Sequence, residues 1–165
     1  MRLARVLAFT DPFASEVVLN AGWQLSNSLI SIGQGGWLGV GLGNSFQKSF
    51  FLPEAHTDFI FAILVEELGI IGGMILIALF IILFIGLISI SFDSFKKGRL
   101  FQGYIVFGTF LLIEIQMLFN IAVNIGLLPT KGLTLPFISY GGTSIIIMLS
   151  LIGIVLRINN ENKLF

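Results

Sequence analysis

The sequence predicts an all-α integral membrane protein, with three transmembrane helices preceded by a large polar, glycine-rich segment. Three observations carry that reading. Of 165 residues, 56% are hydrophobic and 11% charged, against roughly 25% charged in a soluble domain. Mean hydropathy is +1.00. The apolar residues also gather in three long runs nearly free of charge, each able to supply the ~20 residues that cross a bilayer.

The first run combines Phe59–Val65 with the charge-free stretch Leu68–Phe92, and it predicts a span over about 59–92. That is longer than one crossing requires, so tilt or protrusion is expected. The second runs from Leu100 to Leu128, is interrupted by Glu114, and predicts a span over 101–127. The third, Gly132–Leu156, predicts a span over 136–156. Residues 1–57 differ in composition. Arg2 and Arg5 are followed by an apolar run that stops at Thr10, Asp11 and Pro12, too short for a signal peptide. Residues 24–32 predict a short amphipathic helix. Gly33, Gly35, Gly36, Gly39, Gly41 and Gly43 predict a loop. Their spacing loosely resembles a nucleotide loop, but no G-K-[ST] and no strand–loop–helix unit accompany it. The chain therefore divides into an external segment, 1–57, and a three-helix membrane region, 58–165.

Charge excludes several functions and suggests an orientation. Nine basic residues balance nine acidic ones with no basic block, so nucleic acid is not an expected partner. The absence of cysteine removes disulfides, thiolate metal sites and cysteine nucleophiles. The single histidine, His56, cannot build a multi-histidine site. Lys96, Lys97 and Arg99 lie between the first two spans, whereas Lys131 is the one basic residue between the second and third. Positive loops stay inside, which puts the first loop and the tail with Arg157 and Lys163 in the cytoplasm, and residues 1–57 outside. Arg2, Arg5 and Lys48 then fall on the outer side, against the trend.

The densest polar cluster is Q-K-S-F-F-L-P-E-A-H-T-D-F-I-F, residues 47–61. Pro53 stiffens the entry to the first span. Thr57 or Asp58 is placed to cap it, and the helix terminus favours an ionised Asp58. Such a carboxylate could take a proton from a substrate hydroxyl; equally, it could serve as a cap alone. Glu66 and Glu67, roughly 12 Å further along at 1.5 Å per residue, and Glu114 are ionisable groups at costly positions. They face either a cavity or structural partners. Downstream, Pro129, Gly132 and Pro136 interrupt the backbone, which is tolerated at membrane depth only under protein or water cover. Lys131 could meet an anionic headgroup or phosphate, or snorkel as an interface anchor. Gly141, Gly142, Thr143 and Ser144 would allow close helix packing.

L-P-E-A-H-T-D-F-I-F (52–61), E-E-L-G (66–69), G-W-Q-L-S-N-S-L-I-S-I-G-Q-G-G-W-L-G-V-G-L-G-N-S (22–45) and L-L-P-T-K-G-L-T-L-P-F-I-S-Y-G-G-T-S (127–144) together resemble the C-terminal part of the FtsW branch of the SEDS family. RodA and SpoVE share the pattern more loosely. The resemblance implies a ten-helix bundle whose first seven or so helices are absent here, so the chain looks truncated. It implies polymerisation of lipid II into glycan strands during septal cell-wall synthesis, at the outer face of the bacterial cytoplasmic membrane. It matches Asp58 to the family's essential acidic residue, the base for the acceptor sugar hydroxyl. Lys48 and Lys131 match basic positions of the motifs, and Glu54 and His56 join them as substrate-binding candidates. The departing polyprenyl pyrophosphate needs positive charge, from these lysines or from a divalent cation such as Mg²⁺ or Mn²⁺. A class B penicillin-binding protein transpeptidase and other division membrane proteins are the implied partners. A lipid II flippase, or a remnant that only packs against partners, are the rival readings. Glu114 departs from the family, where an uncharged residue is expected.

Overall fold

The computed structural model describes residues 23–45, 57–129 and 132–164. They form four helices and, among the described residues, no strand: α1 (Trp23–Gly35), α2 (Ile60–Lys96), α3 (Leu100–Asn124) and α4 (Gly142–Leu164). The last three are long and apolar enough to cross a membrane. The expected amphipathic helix at 24–32 is α1, which buries Leu25, Ser26, Asn27, Ser28 and Ser31. It packs on the first turns of α2 and the end of α3.

At 37 residues, α2 is about 55 Å long at 1.5 Å per residue, well over the ~30 Å hydrocarbon core. The excess is resolved by a break. Gly69 adopts φ 73° and ψ −178° inside the helix, a conformation open essentially to glycine alone. The break frees the carbonyls of Glu66 and Glu67 and the amides of Ile70 and Ile71, which the glycine-rich loop takes up. Val40 N–H donates to Glu66 O at 2.9 Å and Gly41 N–H to Glu67 O at 3.0 Å. In return Ile70 N–H donates to Gly36 O at 2.9 Å and Ile71 N–H to Trp37 O at 3.4 Å. Two backbones lie this close only without side chains between them. A Cβ at Gly39 would sit 2.2 Å from Glu67 O, and one at Gly69 2.2 Å from Trp37 O.

Both turns after α2 and α3 are closed by glycine in the left-handed region. Gly98 has φ 72° and Gly126 φ 74°. Arg99 N–H reaches Ser94 O at 3.0 Å, and Leu127 N–H reaches Ala122 O at 2.7 Å. These six-to-one bonds satisfy carbonyls that a helix end leaves open, and they end α3 at Asn124 rather than at the expected 127. The third span also departs from expectation, running 142–164 instead of 136–156. Pro136 lies in a turn, not at a helix start, and Phe137 takes φ 66°. The helix outlasts its apolar run because its polar end has partners. Lys97 Nζ donates to Asn162 O, Asn162 Nδ2 to Ser94 Oγ at 2.8 Å, and Arg157 pairs with Glu161 at 2.9 Å.

The helices alternate in direction, so the α2–α3 turn and the end of α4 share one end of the bundle. Val106 and Ile113 of α3 are fully buried against α2, and Phe84 meets Phe110 edge-on at 5.5 Å. Close packing falls at Gly103, where a Cβ would meet the Phe95 ring at 2.4 Å. It does not fall at Gly142, where an added Cβ meets nothing within 4 Å. Ile75, Ile82, Ile85, Ile146 and Leu149 point outward, as expected of surfaces facing lipid or further helices.

Substituting Gly69→Ala should lower stability by at least the ~1–3 kcal/mol of a strained left-handed residue, with undocking of the 36–41 loop. Gly86→Ala, whose Cβ meets nothing within 4 Å, should not. Thermal unfolding in detergent, read beside limited proteolysis within 36–45, compares the two.

Candidate active site at the head of the second helix

The polar residues of the bundle converge where the chain enters α2. The residue flanking the helix is Phe59, with φ −108° and no side-chain capping bond, so the cap position falls at Phe59 rather than at the expected Thr57 or Asp58. The cap comes from another helix. Asn124, fully buried at the end of α3, accepts the Ala62 N–H on Oδ1 at 3.1 Å and donates from Nδ2 to Asp58 O at 3.0 Å. Asn120, one turn earlier, donates to the same Asp58 O at 3.0 Å and to Leu133 O at 2.6 Å. Backbone amides only donate and carbonyls only accept, so both carboxamide orientations follow from their partners.

The stretch 132–139 closes the site from the far side. Ser139 Oγ donates to Thr57 O at 2.5 Å and accepts Leu135 N–H at 2.7 Å. Gln116 Nε2 holds Thr134 through its carbonyl at 3.0 Å and its hydroxyl at 3.1 Å. Gly132, at φ 68°, lies against the carboxylate, since a Cβ there would be 3.3 Å from Asp58 Oδ2. From α1, Ser28 Oγ donates to Asn124 O at 2.9 Å. Asp58 is half-buried, with its carboxylate beside the positive end of the α2 dipole.

Of the residues expected to carry chemistry, Asp58 is therefore brought against the Gly132 stretch. Lys48, Glu54, His56 and Lys131 lie outside the described residues, as does Pro53. Among the described residues no three His, Cys, Asp or Glu side chains gather where a metal ion could sit. Glu66 is fully buried and accepts a bond from Ser45 Oγ at 2.7 Å, which makes it part of the loop docking at the Gly69 break. Glu114 is half-buried on α3. The residues that hold Asp58 and the 132–139 stretch were visible in the sequence as Gln116, Asn120 and Asn124, carboxamides four apart on one face of an apolar span. Attention to charged groups alone passes over them.

The fold and site define a multi-pass helical membrane protein with a carboxylate fixed at a helix entrance. The family model of cell cycle proteins that covers FtsW, RodA and SpoVE matches residues 1–164, and the chain belongs to that family. It is 49% identical over 162 residues to the "Probable peptidoglycan glycosyltransferase FtsW" of Pseudomonas fluorescens, covering 98% of this chain and 39% of that protein. The protein of the same description from Hahella chejuensis is 52% identical over 160 residues, covering 97% and 40%. A solved chain described under structural coordination of polymerization and crosslinking by a peptidoglycan synthase complex superposes with a TM-score of 0.72. It is 29% identical, over 96% of this chain and 41% of that one. The chain thus spans about two-fifths of the length of the relatives it matches.

Ser45→Ala removes the hydroxyl that donates to buried Glu66. A stability loss of about 1–3 kcal/mol is expected, measured as a lower thermal midpoint in detergent. Asn44→Ala, at the exposed neighbouring position, should cost less; equal losses would show that the Ser45–Glu66 bond contributes nothing of its own.

Proposed function

We propose that this chain is the catalytic C-terminal part of a peptidoglycan glycosyltransferase that polymerises lipid II, with Asp58 as general base. The observation that carries the reading is the placement of Asp58 at the entrance of α2, with its carboxylate against Gly132. Asn124 caps α2, and the backbone on either side of the carboxylate is held by Ser139, Asn120 and Asn124. A carboxylate so held can accept the proton of an acceptor sugar hydroxyl. The hydroxyl oxygen bonds to the anomeric carbon of the donor sugar, the bond from that carbon to the phosphate oxygen breaks, and polyprenyl pyrophosphate leaves with the electron pair.

The leaving pyrophosphate requires positive charge. Lys131, next in sequence to Gly132, and Lys48 are the proposed sources, with Glu54 and His56 as further substrate contacts. Asp58, with substrate phosphates, also suits Mg²⁺ or Mn²⁺, which is commonly held by one or two carboxylates and phosphate oxygens; a bound cation would neutralise the same charge. The proposed setting is the cytoplasmic membrane at the division septum, beside a class B penicillin-binding protein transpeptidase and other division proteins. A flippase would call for a polar route across the bilayer. Against it stands the charge-free stretch of α2 from Leu68 to Phe92.

Function can be tested in a chimaera of the Pseudomonas fluorescens relative in which these 165 residues replace the matched region. Asp58→Asn keeps the side-chain size, and the clamp grips the backbone, so the variant should fold. Polymerisation of purified lipid II should drop by about 10²–10⁴-fold, the usual contribution of a general base. A wild-type rate would refute the assignment.

Orientation is tested separately. The chain has no cysteine, so single cysteines at exposed Leu42 and Asn160 report cleanly. An impermeant thiol reagent added to spheroplasts should label position 42 and spare position 160; the reverse pattern would invert the topology.

A further inference from the structure

The Asn124 carboxamide stands inside what would be the first hydrogen bond of α2. In an uninterrupted helix Ala62 N–H would donate to Asp58 O, four residues earlier. Here Ala62 N–H ends on Asn124 Oδ1 at 3.1 Å, and Asn124 Nδ2 donates onward to Asp58 O at 3.0 Å. The side chain acts as a spare peptide unit spliced between the two backbone groups, and it keeps Asp58 out of the helix. Asn120 Nδ2 holds the same carbonyl at 3.0 Å, and Ser139 Oγ holds the preceding one, Thr57 O, at 2.5 Å. All three side chains are buried, Asn120 to 1%, Asn124 to 0% and Ser139 to 2% exposure. The donors come from α3 and from the stretch after Gly132, so the carboxylate and that stretch are indexed to one frame.

We propose that Asn120, Asn124 and Ser139 are positioning residues for the reaction, setting the Asp58 carboxylate outside the first turn of α2 and against the Gly132 stretch. The proposal rests on the reading of Asp58 as general base. Without Asn124, Ala62 N–H and Asp58 O are free to pair directly, the helix gains a residue at its start, and Asp58 turns with it by about 100°, the rotation per residue of a 3.6-residue helix. An aspartate at 124 would be no substitute, since it would set a carboxylate oxygen against the Asp58 carbonyl.

The test uses the chimaeric polymerase and compares two backgrounds. With Asp58 intact, Asn124→Ala and Asn120→Ala should lower kcat by about 10- to 100-fold, the scale of a misplaced catalytic group, with KM for lipid II unchanged within about twofold. Ser139→Ala, which removes one oxygen, should lower kcat less. In the Asp58→Asn background the same substitutions should cost nothing further, because the group they position is gone. A stabilising role alone would lower the amount of folded protein equally in both backgrounds and leave kcat per folded molecule unchanged; that result overturns the proposal. So do equal fractional losses of kcat in both backgrounds. If Asn124→Ala cannot be recovered folded, Ser139→Ala decides by the same two readouts. Unaltered kcat in the three variants, beside a dead Asp58→Asn, removes the positioning proposal alone. A fully active Asp58→Asn removes the general-base reading and this proposal with it.

Discussion

A backbone amide or carbonyl that loses its helical partner inside an apolar bundle must find another, because lipid offers none. Most of what is distinctive in this structure follows from that constraint being met twice on one helix. At Gly69 the loop 36–41 exchanges four backbone bonds with α2. At the head of α2 a side chain from α3 is inserted between Ala62 and Asp58. In both places a segment distant in sequence supplies what a neighbouring turn would ordinarily supply. Each interruption therefore fixes tertiary structure as firmly as local structure. An open amide or carbonyl in such a setting costs several kcal/mol, more than most single packing contacts contribute.

The two interruptions bound a short helical stretch, from Ile60 to Leu68. Around it are α1, the glycine loop, the end of α3 and the stretch 132–139. Ser28 joins α1 to Asn124, Ser45 joins the loop to Glu66, and Ser139 joins the last stretch to Thr57. Glu66 and Glu67 lie in this protein-covered segment, before the charge-free run that begins at Leu68. That run of 25 residues reaches about 37 Å at 1.5 Å per residue, enough for the bilayer core by itself. The excess length of α2 thus serves as a platform, and its two glutamates need not meet lipid tails.

The three spans were legible because hydropathy over some twenty residues is a local sum. So was α1. The ends were less so. Pro136 resembles the first residue of a helix, yet the turn at 136–138 and the positive φ of Phe137 postpone α4 to Gly142. Thr57 and Asp58 before F-I-F resemble a cap, yet the cap arrives from residue 124, and no local pattern encodes a partner 62 residues away. Gly69 in E-E-L-G resembles an ordinary helical glycine; only the docked loop reveals why a side chain is excluded there. The glycine-rich stretch reads from sequence only as a loop, although Gly35 and Gly39 lie where an added Cβ would meet the α2 backbone, at 2.1 Å from Val65 O and 2.2 Å from Glu67 O. The carboxamide stripe was readable in principle. Amides recurring every fourth residue in an apolar span ask what they bond to, just as a charge does.

The choice of amides over charges at that stripe has its own logic. The groups to be held at the α2 entrance are carbonyl oxygens and one amide hydrogen, all neutral dipoles. A lysine or arginine there would satisfy the carbonyls but place a cation a few ångströms from Asp58, tying the carboxylate into an ion pair and lowering its basicity. A carboxylate would repel both the carbonyls and Asp58. Asparagine donates and accepts at once, carries no net charge, and in the short form at 124 reaches both partners from one turn of α3. The arrangement thus fixes the backbone carbonyls of Thr57 and Asp58 without adding a charge of its own.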